Sequence, residues 1–273
     1  MSFFDDIGLR AAESLEQSVG PYVALASYKR LFAGPPDVRA KAAHGALRCA
    51  VALDDEREVV DLCSVWRTAR EAEDSALPFA RDLLRRQKPK LAMMLASAEE
   101  ERSGAPRASY LRLVAEGQLG GPTTAWTIEA WRRVVAAAGS DGALLTHATA
   151  RLLAALFEHA SHDSTFVLSR AEIASLGESA PIDLALPVER LVILRARLHS
   201  TNRFHRASAL SLLEELARRS DGPLRAEAVL VAARHLGALF ARLDAVEIDR
   251  IAATIKHWPD ERTRALVLAQ LPA

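Results

Sequence analysis

The sequence has no excess of charge of either sign, because 35 lysine and arginine residues balance 35 aspartate and glutamate residues. This balance excludes a globally basic nucleic-acid-binding protein and an acidic tail protein, although a local basic patch can still bind an anionic partner. Arginine greatly outnumbers lysine among the basic residues, a bias that is typical of a GC-rich bacterial genome.

Cysteine is scarce, since the chain has only Cys49 and Cys63. Both lie in apolar helical patterns, which is typical of buried, reduced thiols in a cytoplasm. A disulfide between them would require adjacent helices that bring the two together. At 273 residues the chain can bury roughly 70% of its unfolded surface and needs no covalent cross-link for stability. We therefore predict a cytoplasmic protein.

Long apolar runs without charge are also missing. The most apolar stretch, 143–157, contains His147 and Arg151 and is shorter than the roughly 18 residues that suggest a membrane span. Two acidic residues lie near the start of the chain, and no apolar segment follows them, which disfavours a signal peptide. We therefore expect no membrane association.

Recognisable catalytic motifs are absent. The sequence has no His-Glu-x-x-His, no paired Cys-x-x-Cys, no phosphate-binding loop and no Gly-x-Ser-x-Gly, each of which holds reactive groups at a fixed geometry. The acidic runs 54–56 and 99–101 are interpreted as exposed helix ends rather than paired catalytic carboxylates. We therefore expect a protein that is not an enzyme and has no cofactor.

A helical period of 3.6 residues dominates what is present. Apolar residues recur at helical spacing, and runs of alternating β-branched residues are absent. Prolines or capping residues precede most of the periodic segments, as they do at helix starts. The pattern predicts an all-α fold with two buried stripes: Val38, Ala42, Ala46 and Cys49, and Val229, Ala233, Leu236 and Phe240.

One internal similarity suggests a repeat. Residues 22–53 align on 125–156 at a constant offset, so that Tyr28 meets Trp131 and His44 meets His147. The offset of 103 residues is about three units of 34, the tetratricopeptide length. We treat the alignment as a hypothesis, since helices rich in alanine resemble one another easily.

The segment 22–66 resembles a degenerate tetratricopeptide unit. It has a first helix with Tyr28, a Gly-Pro-Pro turn at 34–36, and a second helix with small residues at Ala42, Gly45 and Ala46. The full family signature is not present, so the resemblance is to helical-repeat solenoids as a class. It implies an array of antiparallel helical hairpins, tetratricopeptide-like or HEAT-like, that binds a peptide or domain in a groove.

The periodicity weakens once, between 159 and 186. That stretch is rich in turn-forming residues, and long irregular connections are often functional or mobile. We therefore predict an N-terminal helical-repeat lobe at 1–160, a connecting segment at 161–186 and a C-terminal helical lobe at 187–273.

Candidate partner-binding residues come from the repeat and from the few large aromatics, which often anchor interfaces. Histidines on apolar helices are more often satisfied core residues than binding residues, and Trp131 lies on an apolar stripe that also suits the core. The candidates are Tyr28, His44, Trp131, His147 and Trp258.

Two further clusters carry charge or metal-ligand chemistry. Arg85, Arg86, Lys88 and Lys90 form the densest basic run, which suits either phosphate contacts or the cation-favouring end of a helix. The cluster at 159–163, with His159, His162 and Asp163, offers three residue types that bind zinc. Its spacing matches no complete metal motif, so we expect polar residues at a helix end and no bound metal.

The sequence therefore favours a protein-interaction or scaffold module that binds a peptide or partner domain. A HEAT-like nucleic-acid-binding protein with an arginine-rich face is an alternative, although the balanced charge makes a nucleic-acid partner less favoured. A metal-dependent all-α hydrolase centred on His159, His162 and Asp163 is a second alternative.

Overall fold

The computed structural model describes residues 3–240 and positions 246, 249 and 253. Within these residues the chain forms thirteen α-helices and two short 3₁₀ turns, and no strand. The all-α prediction is therefore confirmed. By its contacts the chain divides into two compact units, unit 1 (Met1–Ala138) and unit 2 (Gly139–Ala273).

Unit 1 contains eight of the described helices. A 3₁₀ turn, Leu31–Ala33, follows the second of them. The helices are α1 (Phe3–Ser18), α2 (Pro21–Arg30), α3 (Pro36–Ala52), α4 (Glu56–Thr68), α5 (Leu77–Arg85), α6 (Pro89–Ser103), α7 (Pro106–Gln118) and α8 (Ala125–Ala137).

Unit 2 contains the other five described helices. A 3₁₀ turn, Ile182–Leu184, precedes the third of these. They are α9 (Gly142–His162), α10 (Arg170–Ser179), α11 (Pro187–Arg197), α12 (Arg203–Arg219) and α13 (Gly222–Phe240).

The boundary between the units differs from the predicted lobe boundary at 160. The predicted connecting segment 161–186 contains α10 and a 3₁₀ turn, and both pack against α9. Ile173 of α10 is fully buried in one cluster with Leu153 of α9 and Ile193 of α11. The turn-rich composition of 161–186 thus reflects the short loops around α10, and α9 belongs with the helices that follow it.

Helix starts follow local chemistry. Proline occupies the first helical position of five helices, α2, α3, α6, α7 and α11, where its missing N–H leaves no hydrogen bond unmade. Side chains of Asp55, Thr124, Asp141 and Ser169 accept hydrogen bonds from the first turns of α4, α8, α9 and α10. Such caps satisfy backbone donors that the helix itself cannot.

The predicted stripes are buried where the structure describes them. Val38, Ala42, Ala46 and Cys49 have no exposed surface and belong to the core of unit 1. In unit 2, Val229 and Ala233 are buried, while the side chains of Leu236 and Phe240 lie outside the described residues. Ala228 and Val231 join Leu194 and Leu213 in a second small cluster of that unit.

Helix packing within each unit is local in sequence. The main contacts join helices that are one or two apart in the chain, such as α1 with α2 and α3, α6 with α4 and α7, and α11 with α9 and α13. Packing that joins mainly helices close together in the chain is the pattern of stacked helical hairpins.

Candidate functional site

The first predicted partner-binding residue, Tyr28, lies inside the core of unit 1. Its side chain is 1% exposed, and its hydroxyl donates to Glu16 Oε2 at 2.9 Å. The guanidinium of Arg48 donates to both carboxylate oxygens of Glu16, at 2.7 and 2.6 Å. Burial and the neighbouring Glu16 carboxylate raise the pKa of Tyr28. The arrangement ties α1, α2 and α3 together, and the buried ring does not present itself to a partner.

Trp131 and the two histidines also have internal contacts. Trp131 is 5% exposed and meets the Tyr110 ring edge to face. His44 lies against Phe79 with ring centroids 5.0 Å apart, and its burial lowers its pKa. The Nδ1 atom of His147 lies 2.8 Å from the carboxylate of Glu189.

The aligned repeat copies differ in setting. Tyr28 and Trp131 are both buried, but α8 and α9, which carry the second copy, fall in different units. Trp258, the fifth predicted partner-binding residue, lies outside the described residues.

The basic run at 85–90 is partly neutralised. Lys88 Nζ lies 2.6 Å from Asp54 and 3.0 Å from Glu56. Arg86 pairs with Asp82 at 2.7 Å and donates to the carbonyl of Val51. Arg85 and Lys90 are exposed. The paired half of this run therefore links the start of α6 to the end of α3, and the other half leaves its charge exposed to solvent.

The metal candidates do not converge. His159 Nε2 is 3.9 Å from Asp163, and its ring meets Phe166. Asp163 instead accepts hydrogen bonds from the backbone and hydroxyl of Thr165, and His162 is exposed at the end of α9. Within the described part of the chain no three His, Cys, Asp or Glu side chains are grouped to hold a metal ion.

Both cysteines are free and buried. Burial raises the pKa of Cys49 to about 12 and that of Cys63 to about 11. Because the thiolate is the reactive form, we expect neither thiol of the native protein to react with a disulfide reagent at pH 8 over minutes. Both should react after denaturation in guanidinium. A native thiol that reacts at the denatured rate would contradict the described burial.

The acidic run at 99–101 contains a buried carboxylate, which the sequence did not predict. Glu99 is 1% exposed and accepts hydrogen bonds from Trp66 Nε1 at 2.6 Å and Arg102 Nη2 at 2.7 Å. The Arg102 guanidinium also lies over the Trp66 ring and donates to the carbonyl of Ala72. This network fastens the loop between α4 and α5 and is structural.

Unit 1 has a surface groove beside the basic run, with a volume of about 430 Å³. Val60 and Leu119 are 39% and 48% exposed in it, and Met94 is half-buried. Arg57 and Lys90 are exposed at its rim. We call this surface the unit 1 groove; its described lining is Glu56, Arg57, Val60, Gln87, Lys88, Pro89, Lys90, Leu91, Met94 and Leu119.

Unit 2 has a larger opening, with a volume of about 790 Å³. Four basic side chains line it, one from each of three helices, α10, α12 and α13, and one from the turn after α11. We call it the unit 2 cleft; its described lining is Arg170, Ala171, Ala174, Ser175, Glu178, Leu198, His199, Ser200, Thr201, Arg206 and His235.

The fold explains why sequence reasoning missed the unit 2 cleft. Its basic residues are separated by 29, 7 and 29 positions, at 170, 199, 206 and 235, and no local motif joins them. Only the packing of α10 to α13 brings them to one cavity. No sequence signal short of the tertiary structure could have grouped them.

Neither a protein-family model nor a curated protein nor a solved structure matches the chain. In the described residues, no helix has both the length and the apolar character needed to cross a membrane.

Proposed function

We propose that the chain is a non-catalytic, cytoplasmic interaction module whose helical hairpins form a tetratricopeptide-like or HEAT-like array. The packing of each helix against its chain neighbours supports the array, because stacked hairpins contact only adjacent units. The close approach of α2 to α3, where Gly45 faces the Tyr28 ring, is consistent with a tight hairpin at 22–52.

The unit 1 groove is the proposed partner-binding surface, and its mixed character carries the proposal. Val60 and Leu119 expose apolar surface, and the flexible Met94 can adapt its shape to an inserted side chain. Arg57 and Lys90 have no ion-pair partner among the described residues, whereas Lys88 is already paired. The groove therefore suits a short peptide with one aliphatic anchor and a neighbouring carboxylate.

The test is selection of peptides from a random display library on the intact protein, followed by measurement of their affinities. We expect the selected peptides to share an aliphatic and an acidic residue and to bind with dissociation constants of about 1–100 μM, as suits a small contact. Val60→Glu should weaken binding by about tenfold or more, because a carboxylate would be placed among the anchor contacts.

Val23→Glu is the matched control. Val23 is a helical valine with 41% exposure, against 39% for Val60, and lies outside the described groove lining. The Val23→Glu variant should bind the selected peptides with an affinity within about twofold of the wild type, the scatter of a neutral surface change. Failure to enrich any peptide, or equal losses in the two variants, would overturn the proposal.

The nucleic-acid and hydrolase alternatives have no comparable support. The ion pairs of Arg86 and Lys88 with acidic neighbours reduce the charge that the basic run could offer to phosphates. His159 and Asp163 are engaged with Phe166 and Thr165.

A further inference from the structure

We propose that the unit 2 cleft binds a small phosphorylated molecule through its phosphate group. The proposal concerns unit 2 and does not depend on the peptide groove of unit 1. It rests on two arginines without an ion pair and on a buried nitrogen without a hydrogen bond, each judged among the described residues, and on the size of the cavity.

Among the described residues, the positive charge of the cleft is only partly balanced. Arg170 and Arg206 have no ion pair among the described residues, and Glu178 is the one carboxylate of the described lining. Glu178 is already paired with His205, at 3.1 Å from Nδ1, and holds a hydrogen bond with Ser200. An incoming anion would therefore meet two arginines without displacing a carboxylate.

The guanidinium of Arg206 is held in place by the backbone. Its Nη1 atom donates to the carbonyl oxygens of Ser200 at 2.6 Å and Thr201 at 3.0 Å. No partner for its Nε and Nη2 donors is found among the described residues. A guanidinium anchored on one side and open on the other is suited to the forked contacts that arginine makes with phosphate.

His235 adds a polar atom that lacks a partner in the part of the chain that the structure describes. Its Nε2 atom is buried and has no hydrogen-bond partner among the described residues, and a buried nitrogen without a partner is costly. His235 lines the same cleft as Arg206 and His199. Because this atom is buried, the ring would have to turn toward the opening before a ligand oxygen could supply the missing hydrogen bond.

A phosphate group suits the hydrogen-bond donors of the unit 2 cleft better than a carboxylate does. Its tetrahedral oxygens can accept from two guanidinium groups and from imidazole and hydroxyl donors at once. Ser175 and Thr201 offer hydroxyls at the wall. The volume of about 790 Å³ exceeds what a free phosphate needs and falls within the range of small-molecule pockets. The described lining has no Phe, Tyr or Trp, so the organic part has no large aromatic ring to stack on.

Proton uptake should accompany binding. Burial and then Arg170 and Arg195 lower the pKa of His199, while burial, Arg206 and His199 lower that of His235. A bound anion opposes these effects, so the bound state holds more protons and affinity rises as pH falls. The described charged groups around the two histidines are Arg170, Glu178, Arg195, His205, Arg206, Glu227 and Arg234.

Isothermal titration calorimetry of the intact protein tests the proposal, with inorganic phosphate, glucose 6-phosphate and glucose as probes. Glucose 6-phosphate should bind with a dissociation constant of about 1 mM or below, and glucose should not bind at about 10 mM. Sulfate, which remains a dianion throughout, should bind several-fold more tightly at about pH 6 than at about pH 8.

The variants Arg170→Gln and His199→Gln should each weaken phosphate binding by about fivefold or more, the effect of losing a charge-assisted hydrogen bond. Both residues have surface in contact with solvent, although the ring of His199 is partly covered, so these changes should leave the helical circular dichroism unchanged. Arg219→Gln is the matched control, because Arg219 is 78% exposed on α12 and lies outside the described lining.

Two results would overturn the proposal. One is the absence of saturable binding of phosphate, sulfate and glucose 6-phosphate. The other is binding that Arg170→Gln and His199→Gln leave unchanged, or that Arg219→Gln weakens equally, since the anion would then bind elsewhere on the surface. Loss of peptide binding by the Val60→Glu variant would not bear on either result.

Discussion

Replacing Glu99 by alanine is expected to lower the free energy of unfolding by about 3–5 kcal/mol, the range for removing one partner of a buried ion pair. The side chain of Arg102 is 7% exposed and that of Glu99 2% exposed. Without the carboxylate, a buried guanidinium loses its counter-charge. Trp66 Nε1–H and the backbone N–H of Ala76 also lose their acceptor. Urea unfolding of the purified variant measures the loss.

An exposed glutamate on the same helix, α6, provides the control. Glu101 pairs with Arg67 at 3.3 Å, and their side chains are 59% and 42% exposed. Because exposed ion pairs contribute about 0–1 kcal/mol, Glu101→Ala should change stability by no more than that. Similar losses for Glu99→Ala and Glu101→Ala would show that burial of Glu99 does not determine its effect.

The pH dependence of the same variants gives a second readout. Burial raises the pKa of Glu99, but hydrogen bonds from Arg102 and Trp66 outweigh burial, and the net pKa is lowered. A lowered pKa contributes stability that is fully present above the unfolded-state value, about 4.3 for glutamate, and is lost as pH falls through the folded value. The stability difference between wild type and Glu99→Gln should therefore narrow as the solution is acidified below about pH 4.

Sequence reasoning predicted the elements of this fold better than its polar interior. The helix starts at Pro36, Pro89 and Pro106 and the cap at Asp55 depend on residues within one turn, so they can be read locally. The acidic run at 99–101 predicts that Glu99 is exposed, and the structure buries it. Glu99 continues the buried stripe of Leu95 and Ala96 by one turn, and that helical position was the available signal.

The long-range contacts and the unit 2 cleft could be found only from the tertiary structure. The hydrogen bond between Trp66 and Glu99 joins residues 33 apart in sequence, and the four basic residues of the unit 2 cleft come from separate segments. The turn-rich composition of 161–186 suggested a connection between lobes, yet Ile173 within it is fully buried. Composition reports the average polarity of a segment and does not report which of its side chains a neighbouring helix covers.

A second large loss of stability is expected when Gly45 is replaced by alanine. A Cβ atom added there would lie 2.5 Å from two atoms of the Tyr28 ring, and the ring cannot easily move because Glu16 and Arg48 hold its hydroxyl. Alanine favours a helix interior by about 1 kcal/mol over glycine. Overpacking of a core costs about 1–3 kcal/mol, and a contact this short argues for the upper end of that range. Gly45→Ala should therefore destabilise the protein by about 1–2 kcal/mol net, as measured by urea unfolding.

Gly117→Ala is the matched substitution with the opposite expected sign. Gly117 also lies in a helix, α7, but its added Cβ would meet nothing within 4 Å. There the gain in helix preference is unopposed, and we expect stabilisation of about 0.4–1 kcal/mol.

A double-mutant cycle tests whether the Tyr28 ring causes the destabilisation expected for Gly45→Ala. In a Tyr28→Leu background the cost of Gly45→Ala should fall, with a coupling of about 1 kcal/mol or more. An unchanged cost in that background, or the same sign at both glycines, would show that contact with the Tyr28 ring does not explain the small residue at position 45.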